Sequence, residues 1–403
     1  MKKLKIGIIG LGGRGYGMTA TLNHMKDVEI LAVCDSYKDR AEKGGKLTKK
    51  HNPLVTTDYH DVINMKEIEA VMIFTSWEEH IPLAIEAMRA GKDVGMEVAG
   101  AYRLQDCFDL VKTAEETGKQ CMMLENCCYG RYELMVKRLV DEGKMGTVVH
   151  CEGGYCHDLR GEIAFGDKNR HYRLRNYLSR NCENYPTHEL GPIAKVLKIN
   201  DGNRMVSLTS TASKACGLHE YFLKKRPDEK EFVDAEVKQG DVVTTTIKCE
   251  NGETIVLTLN TTLPGVYSRK FTVNGTQGMY REDGDVLVLE GAHPRGLIRG
   301  EFKMSGRRQV RRYEHPIWKA YRKERKKGGH GGIDYLVLRA FVTGLLENRY
   351  LPIDVYDTAA WMAVTPLSEE SIKNNSAPVE FPDFTHGMYK NRTEKNGGIY
   401  DLS

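Results

Sequence analysis

Leu4-Lys5-Ile6-Gly7-Ile8-Ile9-Gly10-Leu11-Gly12-Gly13-Arg14-Gly15 decides the fold of this chain. Its first six residues are almost all apolar, as a strand buried on both faces of a sheet must be. The G-x-G-x-x-G that follows opens a helical segment. Asp35 then closes the next apolar run, Val28-Glu29-Ile30-Leu31-Ala32-Val33-Cys34, about 20 residues beyond Gly15. In that register Gly10 permits a tight turn, Gly12 lets the backbone approach a pyrophosphate, and Gly15 lets helix and strand pack closely. The helix N-terminus offers amide donors and a favourable dipole to phosphates. A carboxylate at Asp35 accepts the ribose hydroxyls and repels a 2′-phosphate, so these residues read as a turn for NAD rather than NADP.

The alternation continues outward. Residues 68–75, a helix from Glu79 to Ala90 stopped by Gly91, the run Lys92 to Glu97, a helix over 104–117 and the run Gln120 to Glu125 predict a parallel sheet covered on both faces. From about residue 145 the pattern changes. Segments 147–155, 205–212, 241–248, 254–262 and 269–274 are rich in Val, Thr and Tyr, and several alternate polar with apolar, which predicts a mostly antiparallel sheet with one packed face. Helical periodicity returns at 333–347 and 355–374, and the last thirty residues read as irregular. The fold class is therefore α/β: an N-terminal Rossmann domain over 1–126, then a substrate-binding α+β domain over 127–403 with a mostly antiparallel open sheet.

Composition narrows the function. Across 403 residues, 59 Lys and Arg nearly balance 55 Asp and Glu, which argues against a dedicated nucleic-acid binder. The basic, aromatic stretch 303–327 reads as a solvated face or an anionic-ligand flank. No apolar run approaches a membrane span, and Lys2-Lys3-Leu4-Lys5 leads into the first strand with no cleavage-type region. Ten cysteines without a CxxC pair read as reduced thiols, so the expected location is cytoplasmic. Neither HExxH nor a Cys/His ligand spacing occurs, and no metal site is expected.

Six stretches bear on the chemistry. Thr75-Ser76-Trp77-Glu78-Glu79-His80 follows the third strand, where ligands sit in open α/β sheets; Trp77 and His80 either line the nicotinamide end of a cofactor or simply pack. Glu97-Val98 places no proton acceptor where an alcohol-oxidising enzyme needs one. Tyr155-Cys156-His157-Asp158-Leu159-Arg160, His171-Tyr172-Arg173-Leu174-Arg175 and Tyr185-Pro186-Thr187-His188-Glu189-Leu190-Gly191-Pro192 crowd hydrogen-bonding tips and stacking faces into one region, which suits a polyhydroxylated ligand. Gly328-Gly329-His330-Gly331-Gly332-Ile333-Asp334 turns into a helix, with His330 either functional or loop punctuation.

The N-terminal half resembles the glucose–fructose oxidoreductase/inositol dehydrogenase/MocA superfamily, whose dehydrogenases typically carry Glu-Lys-Pro where this chain has Glu97-Val98-Ala99. Most of the chain is more similar to the NAD-dependent α-N-acetylgalactosaminidases of glycoside hydrolase family 109, through YxHDLR, HxRLR, YPTHxLGP and GHGGxD in combination. The resemblance implies that Gly10, Gly12, Gly13, Arg14, Gly15, Asp35, Trp77, Glu78, Glu79, His80, Glu97, Val98 and Asn126 hold NAD. It further implies that Glu125, Tyr155, His157, Arg173, Tyr185, Pro186, Thr187, His188 and Tyr267 hold a small carbohydrate. Glu189 departs from the family, which has Gly there. The implied reaction on an α-N-acetylgalactosaminide or related hexoside is redox-neutral: oxidation at C3, loss of the C2 proton, elimination at C1, water addition and reduction. Tyr155 is the expected C2 base, with His188 at the C3 oxygen, and the two roles are interchangeable at this stage. The alternatives are an NAD-dependent sugar or inositol oxidoreductase releasing NADH, and a non-catalytic NAD-binding regulator. The superfamily resemblance also implies a homo-oligomer paired through the exposed face of the C-terminal sheet.

Overall fold

The structure is a computed structural model and describes residues 2–291, 304–324, 328–392 and 397–403. Of the basic run, Lys303, Arg325, Lys326 and Lys327 lie outside the described residues. The chain forms two compact units, the first Met1–Gly130, Pro316–Ala360 and Asn391–Ser403, the second Arg131–His315 and Trp361–Lys390. A cut after residue 126 expects two contiguous domains, whereas the chain returns to the first unit twice. Packing is the reason. The helix Ile333–Leu346 buries Tyr335, Leu336, Val337, Leu338, Ala340 and Phe341 and rests on the turn Asn126–Tyr129. Helical periodicity reports that such a face exists and not what covers it.

In the first unit six parallel strands, β1 (Leu4–Ile9), β2 (Val28–Cys34), β3 (Leu54–Thr56), β4 (Ala70–Ile73), β5 (Asp93–Met96) and β6 (Cys121–Met123), lie in the order β3-β2-β1-β4-β5-β6. β1 pairs with β2 on one side and β4 on the other, so the strand order reverses beside it, where open α/β sheets bind ligands at their carboxyl ends. The strands read at 68–75 and 120–125 are real but shorter. The helix Lys38–Leu47 escapes the pattern because it buries only Ala41 and Gly44.

The second unit carries nine strands, β7 (Val148–Cys156), β8 (Met205–Ala212), β9 (Val242–Cys249), β10 (Thr254–Asn260), β11 (Thr272–Gly275), β12 (Gly278–Arg281), β13 (Val286–Leu289), β14 (Met304–Ser305) and β15 (Val379–Glu380). They lie in the order β14-β13-β12-β11-β7-β10-β9-β8-β15, antiparallel except for the β7–β10 pair. β9 and β10 alternate buried with more accessible residues, as a sheet packed on one face does. The helix Thr187–Val196 covers β7, and a Cβ at Gly153 would meet the Glu189 Cβ at 2.7 Å and Ile193 at 3.1 Å. Among the described residues no helix is long and apolar enough to cross a membrane.

Candidate functional site

The glycine turn is built as its sequence demands. Gly10 adopts φ +95°, a region that disfavours side chains, and a Cβ there would stand 2.5 Å from the Phe74 carbonyl oxygen. A Cβ at Gly15 would come within 2.2 Å of the Gly10 oxygen, so the helix Gly13–Asn23 can press on the turn only with glycine there. A Cβ at Gly13 would meet nothing within 4 Å, which leaves this stretch of backbone open to a ligand. Asp35, buried just beyond β2, accepts from the Leu11 amide at 2.7 Å and the Tyr37 amide at 2.9 Å. A carboxylate retains lone pairs beyond those two bonds for ribose hydroxyls.

Past β4, Trp77 and His80 are buried on the helix Trp77–Arg89, while Glu79 is exposed and accepts from the Ser76 hydroxyl. His80 Nε2 lies 3.1 Å from the Thr75 carbonyl oxygen, and burial holds its imidazole down to about 4. His80 Nδ1 and Thr75 Oγ1 are buried with no hydrogen-bond partner among the described residues, as expected where a ligand completes the set. The open glycine backbone, the acid at Asp35 and these orphaned atoms fit a dinucleotide.

Beyond β5, Glu97 accepts from Arg14 Nε at 2.9 Å and from the Val98 amide at 3.1 Å. Arg14 NH1 also donates to Asp334 at 2.9 Å, and Asn126 Nδ2 donates to the other Asp334 oxygen at 2.6 Å. Three residues expected at the cofactor therefore meet on or beside one carboxylate that sequence reasoning gave no role. The available signal was its place in Gly328-Gly329-His330-Gly331-Gly332-Ile333-Asp334.

In the second unit the carbohydrate-type residues converge on Tyr155, near the end of β7. Ring centroids lie 4.4 Å away at Tyr185, 5.7 Å at His188, 5.9 Å at His157 and 6.4 Å at Tyr267. Tyr267 arrives because its loop pairs with β7, through reciprocal 3.0 Å bonds between the backbones of Cys156 and Ser268. The Tyr185 hydroxyl is 3.5 Å from His188 Nε2, and Pro186 precedes the helix that starts at Thr187. The buried Arg173 guanidinium stands 4.9 Å from the Tyr185 ring centre and 6.0 Å from that of Tyr155. Burial raises the Tyr155 phenol above its ordinary value, and Arg173 opposes the rise. His157 is shifted down, first by burial and then by Arg173. Thr187 Oγ1 and His157 Nδ1 are buried without a partner among the described residues.

Glu162, which the sequence did not single out, holds Arg173 Nε at 3.0 Å and lies 3.6 Å from His171 Nε2. A buried cation at Arg173 demands a nearby carboxylate, and only the fold shows that Glu162 supplies it. Among the acids buried in this unit are Glu183, with no exposure, and Glu189, with 1 %. Burial pushes the Glu183 acid up to about 8, and the Tyr185 backbone N–H opposes the rise. Glu125, expected on the carbohydrate side, lies buried in the first unit and accepts from the Cys127 amide at 3.0 Å.

Residues 129–391 match the family model for the glycosyl hydrolase 109 C-terminal domain, and residues 4–125 match that of the oxidoreductase family with an NAD-binding Rossmann fold. A glycosyl hydrolase family 109 protein of Stenotrophomonas maltophilia (strain K279a) is 39 % identical over 97 % of this chain and 91 % of its own. An alpha-N-acetylgalactosaminidase of Tannerella forsythia is 36 % identical over 96 % of this chain and 88 % of its own. Among solved structures, an oxidoreductase of Agrobacterium radiobacter in complex with NAD⁺, L-tartaric acid and magnesium superposes with a TM-score of 0.68 over 94 % of this chain and 99 % of its own. At 17 % identity that likeness concerns the fold.

Proposed function

We propose a substrate and a division of labour for this chain, which belongs to glycosyl hydrolase family 109 and is an NAD-dependent glycoside hydrolase. The substrate is an α-N-acetylgalactosaminide or a closely related hexoside, in keeping with the Tannerella forsythia relative. The observation that carries this reading is the ring of Tyr185, His157, His188 and Tyr267 around Tyr155, with Arg173 behind it. Such a set has stacking faces and hydrogen-bonding tips for a sugar.

NAD, when bound, supplies reversible hydride transfer at C3 of the sugar, so that no reducing equivalent is released. Gly10 to Gly15 and Asp35, with Arg14, Glu97 and Asn126, would hold it in the first unit. A carbonyl at C3 acidifies the C2 proton. Tyr155 takes that proton, the C1–O bond breaks by elimination, and water adds at C1. His188 binds and polarises the C3 oxygen. A buried phenol is a weak acid, and Arg173 is the cation that favours its ionised form, so turnover rises on the alkaline side as Tyr155 ionises. Ten cysteines without a CxxC pair read as reduced thiols, which supports a reducing compartment such as the cytoplasm.

The test is incubation with p-nitrophenyl α-N-acetylgalactosaminide while absorbance is followed at the phenolate and NADH wavelengths. Phenolate release without net NADH is expected, and stoichiometric NADH with free sugars would instead make the protein an oxidoreductase. Solvent deuterium at C2 of the product is the mark of the elimination route. Tyr155→Phe and His188→Ala are each expected to lose turnover while retaining NAD, and unchanged turnover in either removes that residue from the mechanism.

A further inference from the structure

We propose that Asp334 is a positioning residue of the cofactor site, setting the Arg14 guanidinium and the Asn126 amide so that NAD is retained. The proposal rests on the cofactor and is independent of which sugar is cleaved.

Asp334 sits in the first turn of the helix Ile333–Leu346 and is 4 % exposed. One oxygen receives Arg14 NH1 at 2.9 Å and lies 2.8 Å from His330 Nδ1, while the other receives Asn126 Nδ2 at 2.6 Å. Arg14 lies inside the glycine turn, and Asn126 opens the turn just beyond β6. One carboxylate thus ties together two segments that both face the carboxyl ends of the sheet.

The approach to that carboxylate is shaped for it. A Cβ at Gly329 would stand 2.4 Å from Asp334 Oδ2, so glycine at 329 is what leaves the oxygen its place. Gly331 at φ +70° and Gly332 at φ +110° then turn the chain into the helix, and His330 itself adopts φ +48°. A left-handed histidine ahead of two left-handed glycines is a costly conformation, and its bond to Asp334 offsets part of that cost. Burial favours a protonated acid, but His330, Arg14 and Asn126 outweigh it and hold the Asp334 carboxyl down to about 2. The acid is therefore charged across the working pH range.

Charge explains why the arrangement bears on a phosphate ligand. Arg14 is gripped from two sides, by Glu97 through Nε and by Asp334 through NH1, which fixes a flexible cation in one orientation beside the glycine backbone. A guanidinium already ordered loses less freedom when a ligand arrives. Neutralising Asp334 removes one of the two grips on Arg14 and weakens the acceptor for Asn126.

The test uses the full chain and reads cofactor directly. Wild type, Asp334→Asn, Arg14→Met and the double variant are stripped of NAD, and NAD affinity is measured by calorimetry alongside the melting temperature of each stripped form. Asp334→Asn is expected to weaken NAD binding about 10- to 100-fold, the effect of losing a hydrogen bond to a charged group. Its stripped form is expected to melt close to wild type. In the Arg14→Met background the same substitution is expected to cost much less, because the group it positions is gone. Unchanged NAD affinity in Asp334→Asn, or fully additive losses in the double variant, would overturn the assignment. Should Asp334→Asn not fold, His330→Ala and Asn126→Ala each remove one partner, and wild-type NAD affinity in both overturns it equally. Wild type that fails to bind NAD refutes the cofactor itself, a result distinct from all of these.

Discussion

Replacing Glu183 by Gln is expected to stabilise the protein increasingly as the pH rises from 5 to 8. The side chain has no exposure, and among the described residues no side chain donates to either of its carboxylate oxygens. Its backbone is fixed by Ser368 and Thr365, so it cannot swing out to water without breaking those bonds. Burial pushes the acid from 4.5 up to about 8. Below the ordinary carboxyl range the group is protonated both folded and unfolded, and it contributes nothing to the pH dependence. Above that range the unfolded chain ionises while the folded one keeps its proton, so folding stability falls by about 1.4 kcal/mol per pH unit. The loss ends as the folded acid ionises near pH 8, at a ceiling of roughly 5 kcal/mol. Gln has nearly the same shape and no ionisation, so burying its amide adds an offset that is the same at every pH. Urea unfolding at pH 5, 6, 7, 8 and 9, followed by far-UV circular dichroism, gives the variant-minus-wild-type difference. That difference is expected to grow from pH 5 to about 8 and then level off, with little response to added salt because the origin is burial. A difference that is flat with pH, or that favours wild type more strongly as pH rises, refutes the reasoning.

Gly15→Ala places a Cβ 2.2 Å from the Gly10 oxygen and is expected to cost about 1–3 kcal/mol and to strip NAD on purification. Gly13→Ala, with nothing within 4 Å, is the control whose melting temperature stays near wild type. Glu162→Gln releases its hold on the buried Arg173 and is expected to lower kcat/KM about tenfold, the effect of about 1.4 kcal/mol, without loss of NAD; unchanged kinetics would dismiss Glu162. His80, held down to about 4 by burial, is expected to remain neutral from pH 5.5 to 9, and an imidazole NMR titration near 6.5 would contradict its packing.

The cofactor half was legible because its signals are local. A buried strand, a glycine turn, a helix and an acid at fixed spacing can be satisfied by few backbones, and the positive φ at Gly10 and the close packing at Gly15 follow that reading. The sugar-side residues were legible in kind and less so in arrangement. Tyr155, His157 and the Tyr185–His188 stretch lie within some forty residues, but Tyr267 joins them only through the pairing of its loop with β7. The short strands β12, β13, β14 and β15 escaped because two to four residues carry too little periodicity to distinguish them from loop.

By itself, the sequence determined the strands β1, β2, β4, β5 and β6 with the helices that follow β1, β4 and β5, the dinucleotide turn and the residue types that can meet a sugar, because each depends on neighbours a few positions apart. Only the tertiary structure decided that residues 316–360 and 391–403 belong to the first unit and that Asp334 binds Arg14 across 320 positions of chain. It likewise decided that Glu162 faces Arg173 and that Glu183 is buried as an acid. Those outcomes depend on which surfaces exclude water together, and a charge met far along the chain leaves no period in the sequence to read.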